Sequence, residues 1–329
     1  MNGKKYIFLF PGQGAQYPGM ALDFLEDISG GEVRRLFDRA SEICGRDMVA
    51  LIGGADGETL KRTDVSQPAV TLANLAAAAC LADRGFRPSG CAGFSLGEYA
   101  AMVTAGVLEP EDCFRLVKVR GEAMQETAER ITAAGNGEPP GMAAVIGLAP
   151  AAALALIAQW NAGGLTDLYA ANINSPGQIV AAGSAAALAE AERRFKEAGA
   201  RRVIRLQVAG PFHSPLAAGA AEKFRPALEA AAFRDPLIPL YSNVTGRRID
   251  TGEEARRLAL AQITSPVRWV EEEEAIGADG FDAALEAGPG RVLRGLWKES
   301  GNTIPCYAAG TVKDIGAIKT TENRHETAE

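Results

Sequence analysis

Several features are scarce in this sequence of 329 residues, and each shortage removes a class of protein. The five cysteines are an odd number without a CxxC pair, and only two histidines accompany them, which argues against a disulfide framework or a zinc site. We expect reduced, mostly buried thiols. The net charge is −7 and no run of lysine and arginine occurs, so a nucleic-acid-binding surface is not expected.

Long hydrophobic runs are also missing. The apolar run at residues 6–10 follows two lysines, but a Pro-Gly pair stops it far short of a signal-peptide core or a membrane span. The alanine-rich stretch at 69–82 is interrupted by Asn74 and is likewise too short to cross a membrane. The sequence therefore predicts a cytoplasmic protein without a membrane partner.

What is present is the composition of a globular protein, 47% hydrophobic and 23% charged. A buried strand at 6–10 precedes helical patterns that dominate to about residue 130. A linker-like segment, AAGNGEPPG, follows, and the next segments alternate as β-α-β-β-α-β, the order of the ferredoxin-like unit. We predict a discontinuous large subdomain at 1–131 and 207–318, a ferredoxin-like small subdomain at 132–206 and a polar tail at 319–329.

The segment GFSLG is a GxSxG pattern, which is typical of a serine nucleophile on a tight turn between a strand and a helix. Its serine is Ser95, and apolar residues at helical spacing follow it. The pattern also fits a serine that caps a helix, so a general base is needed to support catalysis. Of the two histidines, His325 lies in the polar tail and His213 in a Gly-Pro loop, where a purely structural histidine is the alternative.

The segment PGQGAQYPG is the most glycine-rich turn near the N-terminus. It lacks the Gly-Lys-Ser/Thr ending of a P-loop, and Tyr17 stands where GxGxxG requires its third glycine, so a nucleotide site is not favoured. The alternative is a group of backbone N–H donors for a developing oxyanion.

Arg120 is the charged residue in an otherwise apolar i, i+4 row of a helix predicted to begin at Pro110. A buried guanidinium without a partner is costly. Arg120 should therefore reach solvent, pair with a protein carboxylate or bind an anionic ligand.

Taken together, these segments resemble the malonyl-CoA:acyl carrier protein transacylases and the related acyltransferase domains of fatty-acid and polyketide synthases. The resemblance extends over nearly the whole chain, in the family's order. The matching segments are FPGQGAQYPGM, SQPAV, GFSLGEYAA, VRGEAMQ, NINSPGQIVAAG, GPFHSPL, ITSPVRW and EAGPGRVLRGL. The resemblance implies an α/β fold in which an α/β-hydrolase-like large subdomain carries an inserted ferredoxin-like subdomain, with the active site in the cleft between them.

The same resemblance implies roles for individual residues. It makes Ser95 the nucleophile and His213 its general base, and it makes the main-chain N–H groups of Gln13 and Leu96 the oxyanion hole. Arg120 would hold the malonyl carboxylate by a bidentate pair, for which a guanidinium is suited and an ammonium is not.

Five further residues follow from the resemblance. Gln262 occupies the position that offers a main-chain carbonyl to the histidine, and Gln67 and Asn174 match polar positions of the pocket. Phe94 stands where the family usually has histidine, which affects pocket polarity and acyl preference. Phe212 precedes the general base, where a bulky ring should crowd an α-methyl group of the acyl chain.

The implied reaction transfers a malonyl group from malonyl-CoA to the phosphopantetheine thiol of acyl carrier protein through a malonyl-serine ester. It requires no metal or bound cofactor, and coenzyme A enters as the thioester substrate. An acyl-thioester hydrolase, a different acyl preference and a non-catalytic docking module are the alternatives, and the sequence does not distinguish fatty-acid from polyketide synthesis. For docking of an acidic carrier protein, the predicted helix RVLRGLWK offers Arg291, Arg294 and Lys298, although a solvated helix face is equally consistent.

Overall fold

The computed structural model describes residues 3–27, 30–54, 56–135 and 138–318. Within these ranges the chain forms two β-sheets with helices packed around them. The strands are β1 (Tyr6–Phe10), β2 (Pro88–Gly93), β3 (Gly141–Ile146), β4 (Leu168–Ser175), β5 (Gln178–Gly183), β6 (Arg202–Arg205), β7 (Leu240–Tyr241), β8 (Arg248–Ile249), β9 (Ala283–Glu286) and β10 (Cys306–Ala308).

The α-helices account for most of the remaining described residues. They are α1 (Gly30–Cys44), α2 (Met48–Gly54), α3 (Gly57–Lys61), α4 (Thr63–Asp83), α5 (Gly97–Thr104), α6 (Pro110–Ala134), α7 (Pro150–Ala162), α8 (Ala185–Glu197), α9 (Ala218–Ala230), α10 (Gly252–Ala261), α11 (Trp269–Ala278) and α12 (Val292–Glu299). Two short 3-10 helices cover Leu22–Leu25 and Pro215–Ala217.

The larger sheet has the strand order β10-β9-β1-β2-β7-β8. Its first five strands are parallel, and β8 pairs with β7 in the antiparallel sense. Every residue of β1 is buried, as expected for a central parallel strand with helices on both faces. Phe10 and Gly93 are partners in the register of β1 and β2, so the loops that follow these strands begin side by side. The carboxyl ends of parallel strands are where α/β proteins bind ligands.

The smaller sheet is antiparallel, with the order β4-β5-β3-β6. Its elements follow one another as β3, α7, β4, β5, α8 and β6, which confirms the predicted β-α-β-β-α-β order and the predicted fold class. The last strand of this sheet, β6, ends at Arg205. The exact subdomain boundaries remain a prediction, and the predicted tail at 319–329, with His325, lies outside the described residues.

Helix α4 is longer than the sequence analysis expected. It has 21 residues, and by length and composition alone it could cross a membrane. Because 83% of its apolar window is buried inside the protein, it has the position of a core helix. Asn74, which interrupts the apolar stretch, is itself buried and donates to the main-chain oxygen of Pro11 at 2.9 Å. The amide therefore ties the core helix to the loop after β1.

The five cysteines lie within the described residues, and most of them are buried, as the sequence predicts. Four are buried, and Cys306 is partly exposed. Burial raises the pKa values of Cys91 and Cys113, so these thiols stay protonated at neutral pH.

Candidate active site

The chain turns sharply between β2 and α5, and Ser95 lies at the turn. Its φ of 51° is in the left-handed region, which costs a non-glycine residue about 1–3 kcal/mol. A Cβ on Gly93 would lie 2.1 Å from the carbonyl carbon of Gly97, and a Cβ on Gly97 would lie 1.9 Å from the oxygen of Phe10. Only glycine fits at these two positions, so the sequence GFSLG forms the strained turn that presents a serine side chain.

The imidazole of His213 lies next to this serine, with 2.7 Å between Ser95 Oγ and His213 Nε2. His213 Nδ1 donates to the main-chain oxygen of Gln262 at 2.8 Å. Because a carbonyl oxygen only accepts, the ring proton is on Nδ1 and Nε2 is free to accept from the serine hydroxyl. The structure thus brings together three residues that the sequence analysis singled out.

The electrostatic setting keeps His213 neutral. Burial, and then the positive charge of Arg120, lowers the pKa of His213 to about 4. At neutral pH the ring is therefore uncharged and able to take a proton. Like Ser95, His213 has a positive φ, 57°, so both members of the pair are held in strained backbone conformations.

The PGQG loop after β1 lies against the Ser95 turn. The N–H of Phe94 donates to the oxygen of Phe10 at 2.9 Å, and a Cβ on Gly12 would lie 2.3 Å from the oxygen of Phe94. Among the described residues, the main-chain N–H groups of Gln13 and Leu96 donate to no other group. Two unpartnered amides beside a serine hydroxyl are suited to stabilise an oxyanion.

Arg120 is buried, with 1% of its surface exposed. Its Nη2 donates to Gln262 Oε1 at 3.0 Å, and its guanidinium carbon lies 5.5 Å from the ring centroid of Tyr99. Within the described part of the chain, its Nε has no partner and no carboxylate forms an ion pair with it. Burial is the main influence on the pKa of Arg120 and lowers it, but a guanidinium stays protonated in proteins. Of the alternatives for Arg120, this geometry favours an anionic ligand.

A cavity of about 580 Å³ lies between the two sheets. Ser95, His213 and Arg120 line it on one side, and Asn172 and Asn174 of β4 line it on the other. The two asparagines are 5% and 7% exposed, and in the described residues their Oδ1 atoms have no partner. Such oxygens are available to a ligand. Asn172 was not predicted from the sequence, although it lies two residues before Asn174 in the same strand.

Of the remaining predicted pocket residues, two line the cavity and one contacts a residue of its wall. Phe94 and Phe212 are in its wall, and the Phe94 ring packs edge-to-face on Trp269 with 5.4 Å between centroids. Gln67 is fully buried, its Nε2 lies 3.2 Å from Met124 Sδ, and its role in the pocket stays a prediction. Because α4 packs on α6, Met124 lines the cavity at this point and Gln67 lies behind it.

A serine hydroxyl beside a neutral imidazole and unpartnered amides is equipped for acyl chemistry. On an α/β sheet this arrangement defines a broad class, the serine-dependent acyltransferases and hydrolases. Within the described ranges, no group of three or more His, Cys, Asp and Glu side chains is placed to hold a metal ion. Residues 7–313 match the acyl transferase domain family, and the chain belongs to this family.

Similar proteins extend over almost the full chain. The malonyl CoA-acyl carrier protein transacylase of Bacillus subtilis (strain 168) is 37% identical over 327 residues, which cover 98% of this chain and 99% of the relative. The crystal structure of the malonyl-CoA:acyl carrier protein transacylase of Xanthomonas oryzae pv. oryzae has a TM-score of 0.88 and 37% identity, and the match covers 97% of this chain and 98% of that one. A malonyl-transacylase in complex with a type II PKS acyl-carrier protein gives a TM-score of 0.87 and 35% identity, with coverage of 97% and 99%. These comparisons confirm the resemblance found in the sequence.

Proposed function

We propose that this protein transfers a malonyl group from malonyl-CoA to the phosphopantetheine thiol of acyl carrier protein through a malonyl ester on Ser95. One observation carries the choice of acyl group: Arg120 is a buried cation that forms no ion pair with a carboxylate among the described residues, and it lies in the cavity wall that also holds Ser95 and His213. The carboxylate of a malonyl group supplies the missing charge. The relatives named for this reaction support the same substrates.

In the first half-reaction, Arg120 binds the malonyl carboxylate and directs the thioester carbonyl to Ser95. Nε2 of His213 takes the hydroxyl proton while Oγ of Ser95 attacks the carbonyl carbon. The oxyanion accepts hydrogen bonds from the N–H groups of Gln13 and Leu96. The C–S bond then breaks, the coenzyme A thiolate takes the proton from the imidazolium, and malonyl-serine remains.

The second half-reaction reverses these roles. Nε2 of His213 takes the proton of the phosphopantetheine thiol, the thiolate attacks the ester carbonyl, and Ser95 leaves with the proton. The carbonyl of Gln262 stabilises the transient imidazolium through its hydrogen bond with Nδ1 of His213. We propose no metal or bound cofactor, because every proton and leaving group has a named side chain or substrate atom.

Helix α12 supports a docking site for the carrier protein at the mouth of the cavity. Val292, Leu293 and Leu296 contribute to the cavity wall. Of the three predicted cations, Arg291 pairs with Asp314 at 3.0 Å. Arg294 and Lys298 are exposed and form no ion pair in the described part of the chain, so they are the two available to acidic side chains.

Two further parts of the proposal concern compartment and acyl preference. The buried cysteine thiols fit a reducing, cytoplasmic compartment. Phe212 in the cavity wall favours malonyl over methylmalonyl, because an α-methyl group would need the space of the ring. Phe94 gives the wall next to Ser95 an apolar surface where the family usually has histidine.

Intact-protein mass spectrometry tests the proposed function. Mixing with malonyl-CoA should add one malonyl mass to the protein, and Ser95→Ala should abolish this adduct. Ser89→Ala, which changes a serine of β2 outside the cavity wall, is the matched control. An adduct that persists in Ser95→Ala would disprove the nucleophile assignment. Coenzyme A release that continues unchanged without carrier protein would support the hydrolase alternative instead.

A further inference from the structure

Asn243, just after β7, is a fully buried residue with no role in the mechanism above. Its Oδ1 accepts from the main-chain N–H of Ser95 at 2.6 Å and from Gln262 Nε2 at 3.2 Å. Its Nδ2 donates to the main-chain oxygen of Gly93 at 2.7 Å and to Glu272 Oε2 at 2.8 Å. One side chain therefore holds both sides of the Ser95 turn.

The orientation of this amide is fixed by its partners. The main-chain N–H of Ser95 can only donate and the main-chain oxygen of Gly93 can only accept, so a flipped Asn243 amide would oppose like groups at both contacts. The main chain of Asn243 is also engaged: its N–H donates to Glu98 Oε2 at 3.3 Å, and its oxygen accepts from the N–H of Arg268 at 2.8 Å. A buried residue with every polar group paired is rigid.

The two main-chain contacts of the amide lie on either side of Phe94, within the turn where Ser95 has a positive φ. If Ser95 relaxed to an ordinary backbone conformation, its N–H would rotate away from Oδ1 of Asn243. We infer that Asn243 is a positioning residue for acyl transfer, which holds the strained turn so that Ser95 Oγ stays within reach of His213. This inference rests on the proposed role of Ser95 as nucleophile.

Gln262 extends the same network to the other groups of the site. Its Nε2 also donates to the main-chain oxygen of Ser95 at 3.0 Å, and its Oε1 accepts from Arg120. Because the contact with Arg120 uses the opposite end of the Gln262 amide, loss of Asn243 leaves the proposed carboxylate-binding group in place. Substitution of Asn243 should therefore slow the attack by Ser95 and leave the affinity for malonyl-CoA nearly unchanged.

The first test compares Asn243→Ala with Ser242→Ala. Ser242 is buried in the same turn, and its hydroxyl accepts from the N–H of Val244 at 3.1 Å without contact to Ser95. In single-turnover acylation by malonyl-CoA, Asn243→Ala should be slower by a factor on the order of 100, the effect of a misplaced reacting group. Ser242→Ala should stay within a few-fold of the wild type, and KM should change little in both.

The second variant, Asn243→Asp, gives a signature that a merely structural role would not produce. The new carboxyl keeps an acceptor for the N–H of Ser95, but only its protonated form can donate, through its single O–H, to the oxygen of Gly93 or of Glu272. The ratio of its acylation rate to that of the wild type should therefore rise several-fold as the pH falls from 8 to 6. If Asn243→Ala fails to fold, this ratio decides the question.

An uncharged fluorophosphonate ester, which labels activated serines, separates this inference from the proposed function. Wild-type protein that takes the fluorophosphonate but no malonyl group would refute the malonyl proposal, and the label would still report the reactivity of Ser95 in each variant. If Asn243→Ala is fully folded but is labelled more slowly than the wild type, the positioning role is supported. Equal labelling rates in Asn243→Ala and Ser242→Ala, or an Asn243→Asp ratio that is the same at both pH values, would overturn it.

Discussion

The two walls of the cavity differ in how their polar groups are satisfied. On the side of the large sheet, His213 in the wall is paired with the Ser95 turn and with Gln262, and Gln262 is paired in turn with Asn243. On the wall formed by the small sheet, the Oδ1 atoms of Asn172 and Asn174 have no partner among the described residues. A satisfied buried network fixes geometry, and an unsatisfied buried oxygen is available to a ligand. The first wall, which we call the chemical wall, fixes the reacting groups and also carries Arg120, a binding group whose Nε has no partner among the described residues. The second, the binding wall, presents oxygens for binding alone.

The two walls are joined by main-chain hydrogen bonds. The N–H of Ile173 in β4 donates to the oxygen of Val267 at 2.8 Å, and the N–H of Val267 donates to the oxygen of Ala171 at 2.9 Å. Val267 lies five residues after Gln262, the residue whose carbonyl orients His213. The binding wall is thus held in register with the segment that positions the base.

Removal of the base should have the largest effect on the chemical wall. His213→Ala should slow acylation of Ser95 by about 100-fold or more, because general-base help is lost. The KM for malonyl-CoA should change little, since Arg120 is untouched. Single-turnover mass spectrometry measures the rate, and a loss below about tenfold would contradict the assignment of His213 as the base.

The pH profile tests the same residue without removing it. His213, with a pKa of about 4, is neutral above that pH, so the wild-type acylation rate should be level from pH 5.5 to 8 and fall only in more acidic solution. Because the charge of Arg120 helps to depress this pKa, Arg120→Ala should move the acid limb to higher pH. Both proteins should be measured with acetyl-CoA as the donor, because the acetyl group has no carboxylate and its binding does not depend on Arg120. An acid limb at the same pH in both proteins would refute the coupling.

Changes on the binding wall should have a different kinetic signature. Asn172→Ala and Asn174→Ala each remove a hydrogen-bonding oxygen from the cavity, so each should raise the KM for malonyl-CoA by roughly tenfold or less while kcat stays nearly constant. Asn161→Ala is the control, since Asn161 bonds the main-chain oxygen of Leu168 outside the cavity wall. A fall in kcat without a change in KM would contradict the division between the two walls.

The smallest expected effect concerns the stability of the chemical wall. Burial raises the pKa of Glu98 to about 7, so the folded protein keeps this proton above the pH at which the unfolded chain loses it. The stabilisation of the folded state by this proton is fully present below the pKa that Glu98 has in the unfolded chain, and it is lost as the pH rises through 7. Glu98→Gln mimics the protonated form. As the pH rises from 5 to 8, the free energy of unfolding of this variant should therefore fall by less than that of the wild type. The difference should be no more than about 3 kcal/mol, and equal losses in urea unfolding would contradict it.

Local patterns were sufficient to predict much of this site. The strand, glycine turn and helix around Ser95 and the β-α-β-β-α-β order of the small sheet follow from turn chemistry and periodicity, which act over a few residues. Asn243 could not be found in this way, because it is 148 residues from Ser95 and reaches it only through the pairing of β2 with β7. The contact of Gln67 with Met124 could not be predicted for a related reason, since which side chain of two packed helices lies nearer a cavity depends on their tertiary contact.

The most direct test of the account is the choice between malonyl and acetyl donors. Arg120 should supply most of this selectivity, because it is a buried cation in the cavity wall with no ion-paired carboxylate in the part of the chain that the structure describes. In a competition between malonyl-CoA and acetyl-CoA, mass spectrometry of the Ser95 ester measures both transfer rates. Arg120→Ala should lose roughly 30-fold to 1000-fold in malonyl transfer, with acetyl transfer nearly unchanged or increased, and Arg120→Lys should recover only part of the loss. A malonyl-to-acetyl ratio that is the same in wild type and Arg120→Ala would show that Arg120 is structural and that the malonyl assignment has lost its main support.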